Sequence, residues 1–185
     1  MEEVVIVGGA RTPIGRYGGA LAEEPVHRFT SVVLNEALRR SKISPAQVDD
    51  VIMGQSYQNG ECANGARMAL LEAGWPNEIP DVTLDRRCCS GLNAIFFEVM
   101  KVQTGNADII VAGGMESMSR AELYIPGDIK WGLGGKNDKK WGFMPKGHGF
   151  LSIWGITLYD RIQRARVMSQ PIDRFGELNS MMTWA

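Results

Sequence analysis

The sequence predicts an α/β domain with a largely parallel sheet covered on both faces. Short apolar runs alternate with longer segments whose apolar residues recur at helical spacing. Up to residue 112 the predicted order is strand, helix, strand, helix, strand, helix, strand. Because neighbouring parallel strands need a long crossover, which is usually a helix, this alternation favours parallel pairing.

The first predicted elements come from residues 4–53. Residues 4–7, Val-Val-Ile-Val, form an unbroken apolar run that predicts a fully buried strand. Residues 25–40 follow, with a proline at their start, and predict an amphipathic helix. Its predicted inward side chains are Val26, Phe29, Val33, Ala37 and Leu38. Residues 51–53 then predict a second buried strand.

The remaining elements lead into and out of a pair of cysteines. Residues 66–73 predict a helix that Gly74 closes, and residues 80–84 predict a third strand. After the cysteines, apolar residues recur at helical spacing at Leu92, Ile95, Phe96, Val99 and Val102. They predict a third helix that is apolar on several sides and therefore buried. Gly105 ends this helix, and residues 109–112 predict a central strand.

Cys88 and Cys89 lie at the predicted turn from the third strand into the third helix. Free N–H groups and the positive end of a helix favour a thiolate there by about 0.3 to 2 kcal/mol. The arginines at residues 86–87 add positive charge. A free cysteine is more often an inert core residue, but Ser-Gly at residues 90–91 leaves room for a substrate near the backbone. The pattern indicates an activated nucleophile.

Five stretches of the chain resemble motifs of the thiolase family. Cys-Cys-Ser-Gly-Leu at residues 88–92 resembles the nucleophile motif, with Cys88 in its leading position. Gly-Gly-Met-Glu-Ser-Met-Ser at residues 113–119 is similar to the family's glycine motif. The other three stretches are residues 11–21, 48–54 and 64–67. In the last of these Gly65 replaces the proline of the family's Asn-Pro-Ala-Arg turn.

The resemblance implies one thiolase-type βαβαβαββ half, with a mostly parallel sheet, at residues 1–120. Residues 121–185 resemble an incomplete part of the loop region that covers the CoA ester in thiolases. Four of the five tryptophans lie past residue 130. Because a thiolase contains two such halves packed through paired central helices, the resemblance implies a second chain that supplies the carboxy-terminal half.

The implied activity is that of an acyl-CoA C-acyltransferase. By resemblance, Cys88 attacks an acyl-CoA thioester, holds the acyl group covalently and passes it to CoA or to an acetyl-CoA carbanion. Coenzyme A is then a substrate and product, and we expect no permanently bound cofactor and no metal. The family's Gly-His-Pro histidine, water-holding asparagine and Cys-x-Gly cysteine are not identifiable here. The resemblance therefore implies a hetero-oligomer, built on a thiolase dimer or tetramer, that is active only with the complementary chain.

His148 is a second candidate site residue. Its Gly-His-Gly setting resembles the Gly-His-Pro motif, but it lacks the proline and lies in the wrong half of the family pattern. We therefore predict that His148 contacts the substrate and does not act as the catalytic base. His27, beside the inward side of the first helix, is predicted to be structural or solvated.

Composition excludes several other classes of protein. Of 185 residues, 44% are hydrophobic and 22% charged, and 20 basic against 21 acidic residues give a net charge of −1. No overall field attracts nucleic acid or a membrane surface. The start of the chain lacks a basic, long apolar leader, and three cysteines, two of them adjacent, do not make a disulfide framework. We expect a cytoplasmic protein.

Two alternative functions stay open at this stage. The first is a thiolase-fold binding or accessory protein without turnover. The second is another condensing enzyme of the ketoacyl-synthase kind, against which residues 113–119 argue.

Overall fold

The computed structural model describes residues 3–125, 150–153, 156–162 and 174. The chain divides into two compact units, Met1–Arg120 and Ala121–Ala185. The first unit contains both cysteines of the predicted nucleophile turn.

Three helices and three strands alternate in the first unit. The helices are α1 (Val26–Ser41), α2 (Gly65–Glu72) and α3 (Ser90–Gln103). The strands are β1 (Asp50–Gly54), β2 (Asp81–Leu84) and β3 (Ile110–Gly114). These six elements confirm the predicted order from residue 25 onwards, with boundaries that differ by one or two residues. Gly74 and Gly105 follow α2 and α3 with φ of 76° and 69°, the left-handed conformation that glycine adopts without strain.

The three strands form a parallel sheet in the order β2-β1-β3. From β1 the chain crosses through α2 to one neighbour, and it returns through α3 to the opposite neighbour. Because such crossovers are right-handed, the two helices are expected on opposite faces of the sheet. The side chains agree: Val51 and Met53 belong to the core beneath α1 and α2. A Cβ on Gly54, which points to the other face, would lie 2.3 Å from the Ser90 carbonyl carbon in α3.

The main core lies between the sheet and the pair α1 and α2. Its members are buried apolar side chains from α1, β1, α2 and the segments that join them: Val26, Leu34, Leu38, Val48, Val51, Met53, Ala66, Ala69, Leu70, Trp75, Ile79 and Met115. Of the predicted inward side chains of α1, Val26 and Leu38 are buried and Phe29 packs against the core. Of the two settings predicted for His27, structural or solvated, the structure shows a buried side chain, with Nε2 3.5 Å from Glu72 Oε1 of α2.

Helix α3 packs against β1 and β3 through small residues. Ser90, Asn93 and Ala94 are its buried side chains. Gly91 lies against Gly114 of β3, where an added Cβ on Gly114 would be 3.3 Å from the Gly91 Cα. The predicted burial of the large apolar side chains of α3 is not found in this chain, because the side of α3 that faces the sheet carries the small ones. Leu92, Ile95, Phe96 and Met100 are exposed instead.

The predicted strand at residues 4–7 is wrong. These residues form no strand, and Val5, Ile6 and Val7 are 67%, 86% and 63% exposed. An apolar run becomes a strand only where a neighbouring strand supplies its backbone hydrogen-bond partners. In the described residues the sheet ends at β2 and β3, and residues 4–7 pair with neither.

The second unit contains a small antiparallel sheet. Its strands are β4 (Leu123–Tyr124), β5 (Phe150–Ile153) and β6 (Ile156–Asp160), in the order β4-β6-β5. The rings of Tyr124 and Tyr159 stack with centroids 5.6 Å apart. His148 and the tryptophans at 131, 141, 154 and 184 lie outside the described residues. No helix within the described ranges is both long enough and apolar enough to cross a membrane.

Candidate active site

The candidate site lies where the three parallel strands of the first unit end. Residues 55–57 follow β1, residues 85–89 follow β2, and residues 115–117 follow β3. Because parallel strands end at the same edge of a sheet, these three segments meet there, and α3 begins between them. Ligand sites of open α/β sheets are usually found at this edge.

Cys88 and Cys89 are both exposed at the start of α3. Cys89 precedes the first helical residue, and its backbone N–H donates to the Arg86 carbonyl at 3.1 Å. The prediction that the cysteines lie in a strand-to-helix turn is therefore confirmed. An exposed thiol at the N-terminus of a 14-residue helix can act as a nucleophile towards a substrate that approaches from solvent.

The residue before Cys88 has an unusual backbone conformation. Arg87 has φ of 51°, in the left-handed region that side chains with a Cβ seldom adopt. Its N–H donates to Asp85 Oδ1 at 2.7 Å. Its carbonyl accepts from Ser56 Oγ and from Ser90 Oγ, each at 2.7 Å, and from the Ser90 N–H at 3.0 Å. Hydrogen bonds therefore hold both the backbone N–H and the carbonyl of Arg87 in the turn.

The Arg87 side chain holds the same two segments together. Its Nη1 donates to the Ser56 carbonyl and to Asp85 Oδ2, both at 3.0 Å. Its guanidinium carbon lies 5.9 Å from the centroid of the Tyr57 ring, within the range of a cation–π contact. The loop after β1 is thus bound to the nucleophile turn by backbone, hydroxyl and guanidinium contacts.

Glu116 fixes the loop after β1 from the other direction. Its Oε2 accepts the Ser56 N–H at 2.8 Å, and both carboxylate oxygens lie 3.3 Å from the Tyr57 nitrogen. The carboxylate comes from the segment after β3, so it connects that segment to the loop after the central strand β1. Hydrogen bonds therefore connect the segments after all three strands beside the residue that precedes Cys88.

Cys62 differs from the two cysteines of the turn. It is half-buried, and burial, followed by the nearby carboxylates of Glu61 and Glu72, raises the pKa of its thiol. Both effects disfavour the thiolate and make Cys62 a poorer nucleophile. No group of three or more histidine, cysteine or acidic side chains in the described part of the chain is arranged to hold a metal ion.

The sequence located Cys88 but did not identify Ser56, Glu116 and Asp85 as its supports. A signal was available in the sequence, because all three follow closely after a predicted strand, and they lie one or two residues beyond the strands of the structure. His148 lies outside the described residues, so its predicted contact with substrate stays a prediction.

Comparison with known proteins supplies the family. The family model for the thiolase N-terminal domain matches residues 4–154. The acetyl-CoA acetyltransferase of Cupriavidus necator is 43% identical over 127 residues, which are 69% of this chain and 32% of that protein. The 3-oxoadipyl-CoA/3-oxo-5,6-dehydrosuberyl-CoA thiolase of Escherichia coli K12 is 45% identical over 127 residues, 68% of this chain and 32% of that protein.

A solved structure agrees with the sequence relatives. The crystal structure of the Bacillus anthracis acetyl-CoA acetyltransferase aligns with a TM-score of 0.64 and 39% identity, over 66% of this chain and 31% of that one. The chain spans about a third of the length of the curated relatives that it matches. The fold, the strand-to-helix turn with Cys88 and these matches agree, and the chain belongs to the thiolase family, of which it contains the amino-terminal portion.

Proposed function

We propose that this chain is the nucleophile-bearing part of an acyl-CoA C-acyltransferase. The observation that carries the proposal is the exposed Cys88 thiol at the start of α3, at the position of the thiolase nucleophile motif. The relatives are named for reactions of CoA esters, acetyl-CoA acetyltransferase and 3-oxoadipyl-CoA thiolase among them. Coenzyme A is then a substrate and product, not a resident cofactor.

The reaction has two halves. In condensation, the Cys88 thiolate attacks the carbonyl carbon of an acyl-CoA thioester and the CoA thiolate leaves; an acetyl-CoA carbanion, formed by loss of a proton to a base, then attacks the acyl-cysteine and restores the Cys88 thiolate. In thiolysis, the Cys88 thiolate attacks the 3-keto carbon of a 3-ketoacyl-CoA, the bond between carbons 2 and 3 breaks, and acetyl-CoA leaves as a carbanion that takes up a proton. The CoA thiolate then attacks the acyl-cysteine and restores the Cys88 thiolate. The backbone N–H of Cys88 forms part of the oxyanion hole for the tetrahedral intermediate.

The remaining catalytic groups come from a second chain. Helix α3 exposes Leu92, Phe96 and Met100, which a complementary chain would cover. That chain carries the Gly-His-Pro histidine, the water-holding asparagine and the Cys-x-Gly cysteine of the family. The assembly is a cytoplasmic hetero-oligomer built on a thiolase dimer or tetramer.

Selective alkylation tests the assignment of the nucleophile. Iodoacetamide at neutral pH, with the labelled cysteine located by peptide mass spectrometry, should modify Cys88 first, and acyl-CoA should protect it. Cys62 should react slowly because burial raises the pKa of its thiol. Preferential labelling of Cys62 or Cys89 would show that the nucleophile is assigned to the wrong thiol.

Two substitutions complete this test in the assembled enzyme. Cys88→Ser should abolish acyl transfer and the acylated peptide, whereas Cys89→Ser, a matched change one residue away, should be mild. Bound acyl-CoA without any acylated cysteine would favour the non-catalytic binding protein instead.

The proposed substrate contact of His148 has a kinetic test. His148→Ala should raise the Michaelis constant for the CoA ester more than it lowers the turnover number, because a contact made equally in ground and transition states contributes to binding alone. A collapse in turnover with unchanged substrate binding would assign His148 to the chemistry.

A further inference from the structure

The conformation of Arg87 must be maintained by its surroundings. Arg87 is the residue before Cys88, and its φ of 51° places it in a region that an arginine adopts only when other contacts hold it there. A change in φ at this position would rotate the peptide that carries Cys88 and move the thiol away from the helix N-terminus. The contacts that keep Arg87 in this conformation therefore also determine the position of the Cys88 thiol.

Two of the three hydrogen bonds to the Arg87 carbonyl come from side-chain hydroxyls. Ser90 is part of α3, so its hydroxyl is placed by the helix itself. Ser56 lies outside any helix or strand, 31 residues away in sequence, and its Oγ can remain 2.7 Å from the Arg87 carbonyl only if the loop after β1 is held in place.

The carboxylate of Glu116 supplies that restraint. It accepts the backbone N–H of Ser56 at 2.8 Å and lies 3.3 Å from the Tyr57 nitrogen. These are the two residues of the loop after β1 that contact Arg87, one through its hydroxyl and carbonyl and the other through its ring. A carboxylate can accept both N–H groups at once, and hydrogen bonds to a charged acceptor are stronger than those to an amide.

We propose that Glu116 and Ser56 are positioning residues for the nucleophile. Glu116 holds the loop after β1, Ser56 transmits that restraint to the Arg87 carbonyl, and the left-handed Arg87 aims the Cys88 thiol into solvent at the start of α3. Neither residue needs to contact the reacting acyl group. The inference rests on the proposed function of Cys88, and its geometry lies wholly within Met1–Arg120.

The test uses the full 185-residue chain assembled with its complementary chain and a probe that does not depend on acyl transfer. The rate of Cys88 alkylation by iodoacetamide is measured across pH for wild type, Glu116→Gln, Glu116→Asp and Ser56→Ala. Glu116→Gln places an amide NH₂ group where two N–H donors converge. The variant should therefore alkylate Cys88 about tenfold more slowly at neutral pH, with a pH profile displaced to higher pH. Glu116→Asp, which keeps both acceptor oxygens, should recover most of the rate.

The matched control is Glu36→Gln. Glu36 pairs with Arg39 and Arg40 on the surface of α1, so the same chemical change there should leave the alkylation profile unaltered. Ser56→Ala should reproduce the effect of Glu116→Gln. The double variant should be no worse than the more impaired single variant, because both act through one connection.

Kinetics of the enzyme assembled with its complementary chain give the second readout. Glu116→Gln should lower the turnover number by about 10- to 100-fold with little change in the Michaelis constant for the CoA ester. Far-ultraviolet circular dichroism should show native helix content for each variant.

The outcomes separate this inference from the proposed function. If Cys88→Ser abolishes acyl transfer while Glu116→Gln leaves alkylation and turnover at wild-type values, the positioning role is overturned and the nucleophile stands. If Cys88→Ser retains acyl transfer, the proposed function fails, and the alkylation profile still decides whether Glu116 positions the thiol. An equal change in Glu36→Gln would also overturn the positioning role.

Discussion

On one face of the parallel sheet, α1 and α2 close a core in which Leu34 and Leu70 are 2% and 0% exposed. On the opposite face, α3 leaves Leu92 and Phe96 56% and 58% exposed. The two faces belong to one domain, and α3 is the most apolar of its helices. They differ in which side of the helix carries the large side chains.

Helix α3 reverses the pattern of an ordinary surface helix. A surface helix turns its large apolar side chains towards the sheet and its polar ones towards solvent. Here Ser90, Asn93 and Ala94 face inward, and the small residues let the helix approach the sheet closely at Gly54 and Gly114. Val82 of β2, on the same face of the sheet by its pairing with Ile52, is also exposed. The difference indicates that the α1–α2 face is complete within this chain and that the α3 face needs a further covering layer.

The largest expected effect is the gain in solubility and activity when a complementary chain covers the exposed side of α3. Leaving about 600 Å² of apolar surface uncovered costs on the order of 15 kcal/mol at ~25 cal/mol per Å², before relaxation reduces it. Residues 1–185 expressed alone should therefore aggregate or bind a hydrophobic dye. Co-expression with a chain that carries the Gly-His-Pro and Cys-x-Gly motifs should restore solubility and thiolysis of acetoacetyl-CoA.

One outcome would contradict this prediction. A monodisperse, soluble 185-residue monomer that binds no hydrophobic dye would mean that the exposed side of α3 is not an interface. The same chain with Phe96→Ser should bind less dye and assemble less well, whereas Val32→Ser, at an exposed position on α1, should leave assembly unchanged.

A matched pair of truncations compares the two faces directly. Leu70→Ala on α2 should lower the free energy of unfolding by about 2–5 kcal/mol, because the side chain is wholly buried and leaves a cavity. Phe96→Ala on α3 should change it by only about 0.5 kcal/mol, because that side chain already faces solvent. Urea unfolding of each variant at low protein concentration, followed by circular dichroism, gives both values. Equal losses would show that the two faces are equally packed in solution.

An effect smaller than the loss expected for Leu70→Ala concerns Glu98 on α3. Burial, and to a lesser degree the Asp50 carboxylate, raise the pKa of Glu98 to about 7, against the opposing effect of a hydrogen bond from the Ala112 N–H. Below its unfolded pKa the group is protonated in both states and costs nothing. Stability therefore falls as pH rises from about 4.5 to about 7, and the full cost is present above that range.

Glu98→Gln removes this cost while keeping an acceptor for the Ala112 N–H. The variant should be more stable than wild type at pH 8 by about 1 kcal/mol, after allowance for solvent screening of a partly exposed group, and nearly equal to it at pH 5. Urea unfolding at the two pH values measures the difference. A variant that is less stable than wild type at pH 8 would mean that the carboxylate is needed in its charged form.

Local sequence patterns were sufficient for the elements that depend on neighbouring residues. The helical spacing of apolar residues and the glycines at 74 and 105 predicted all three helices, because helix hydrogen bonds join residues four apart and a glycine adopts the terminal left-handed turn without strain. Short apolar runs predicted the three parallel strands, and the thiolase motif placed Cys88 at the turn before α3. Local sequence did not predict the hydrogen bonds around Cys88, because Ser56 and Glu116 are 60 residues apart and meet only when β1 and β3 pair.

The sequence by itself determined the helices, the three paired strands, the family and the position of the candidate nucleophile, because each is encoded in a short segment. The tertiary structure alone decided which side of α3 faces the sheet, that residues 4–7 are not a strand, and that Arg87 is held in a left-handed conformation. The physical reason is that a strand, a buried helix face and a strained turn each depend on partners distant in sequence. Residues 4–7 have strand composition without a neighbouring strand, whereas Arg87 has an unfavourable conformation that its hydrogen-bond partners maintain.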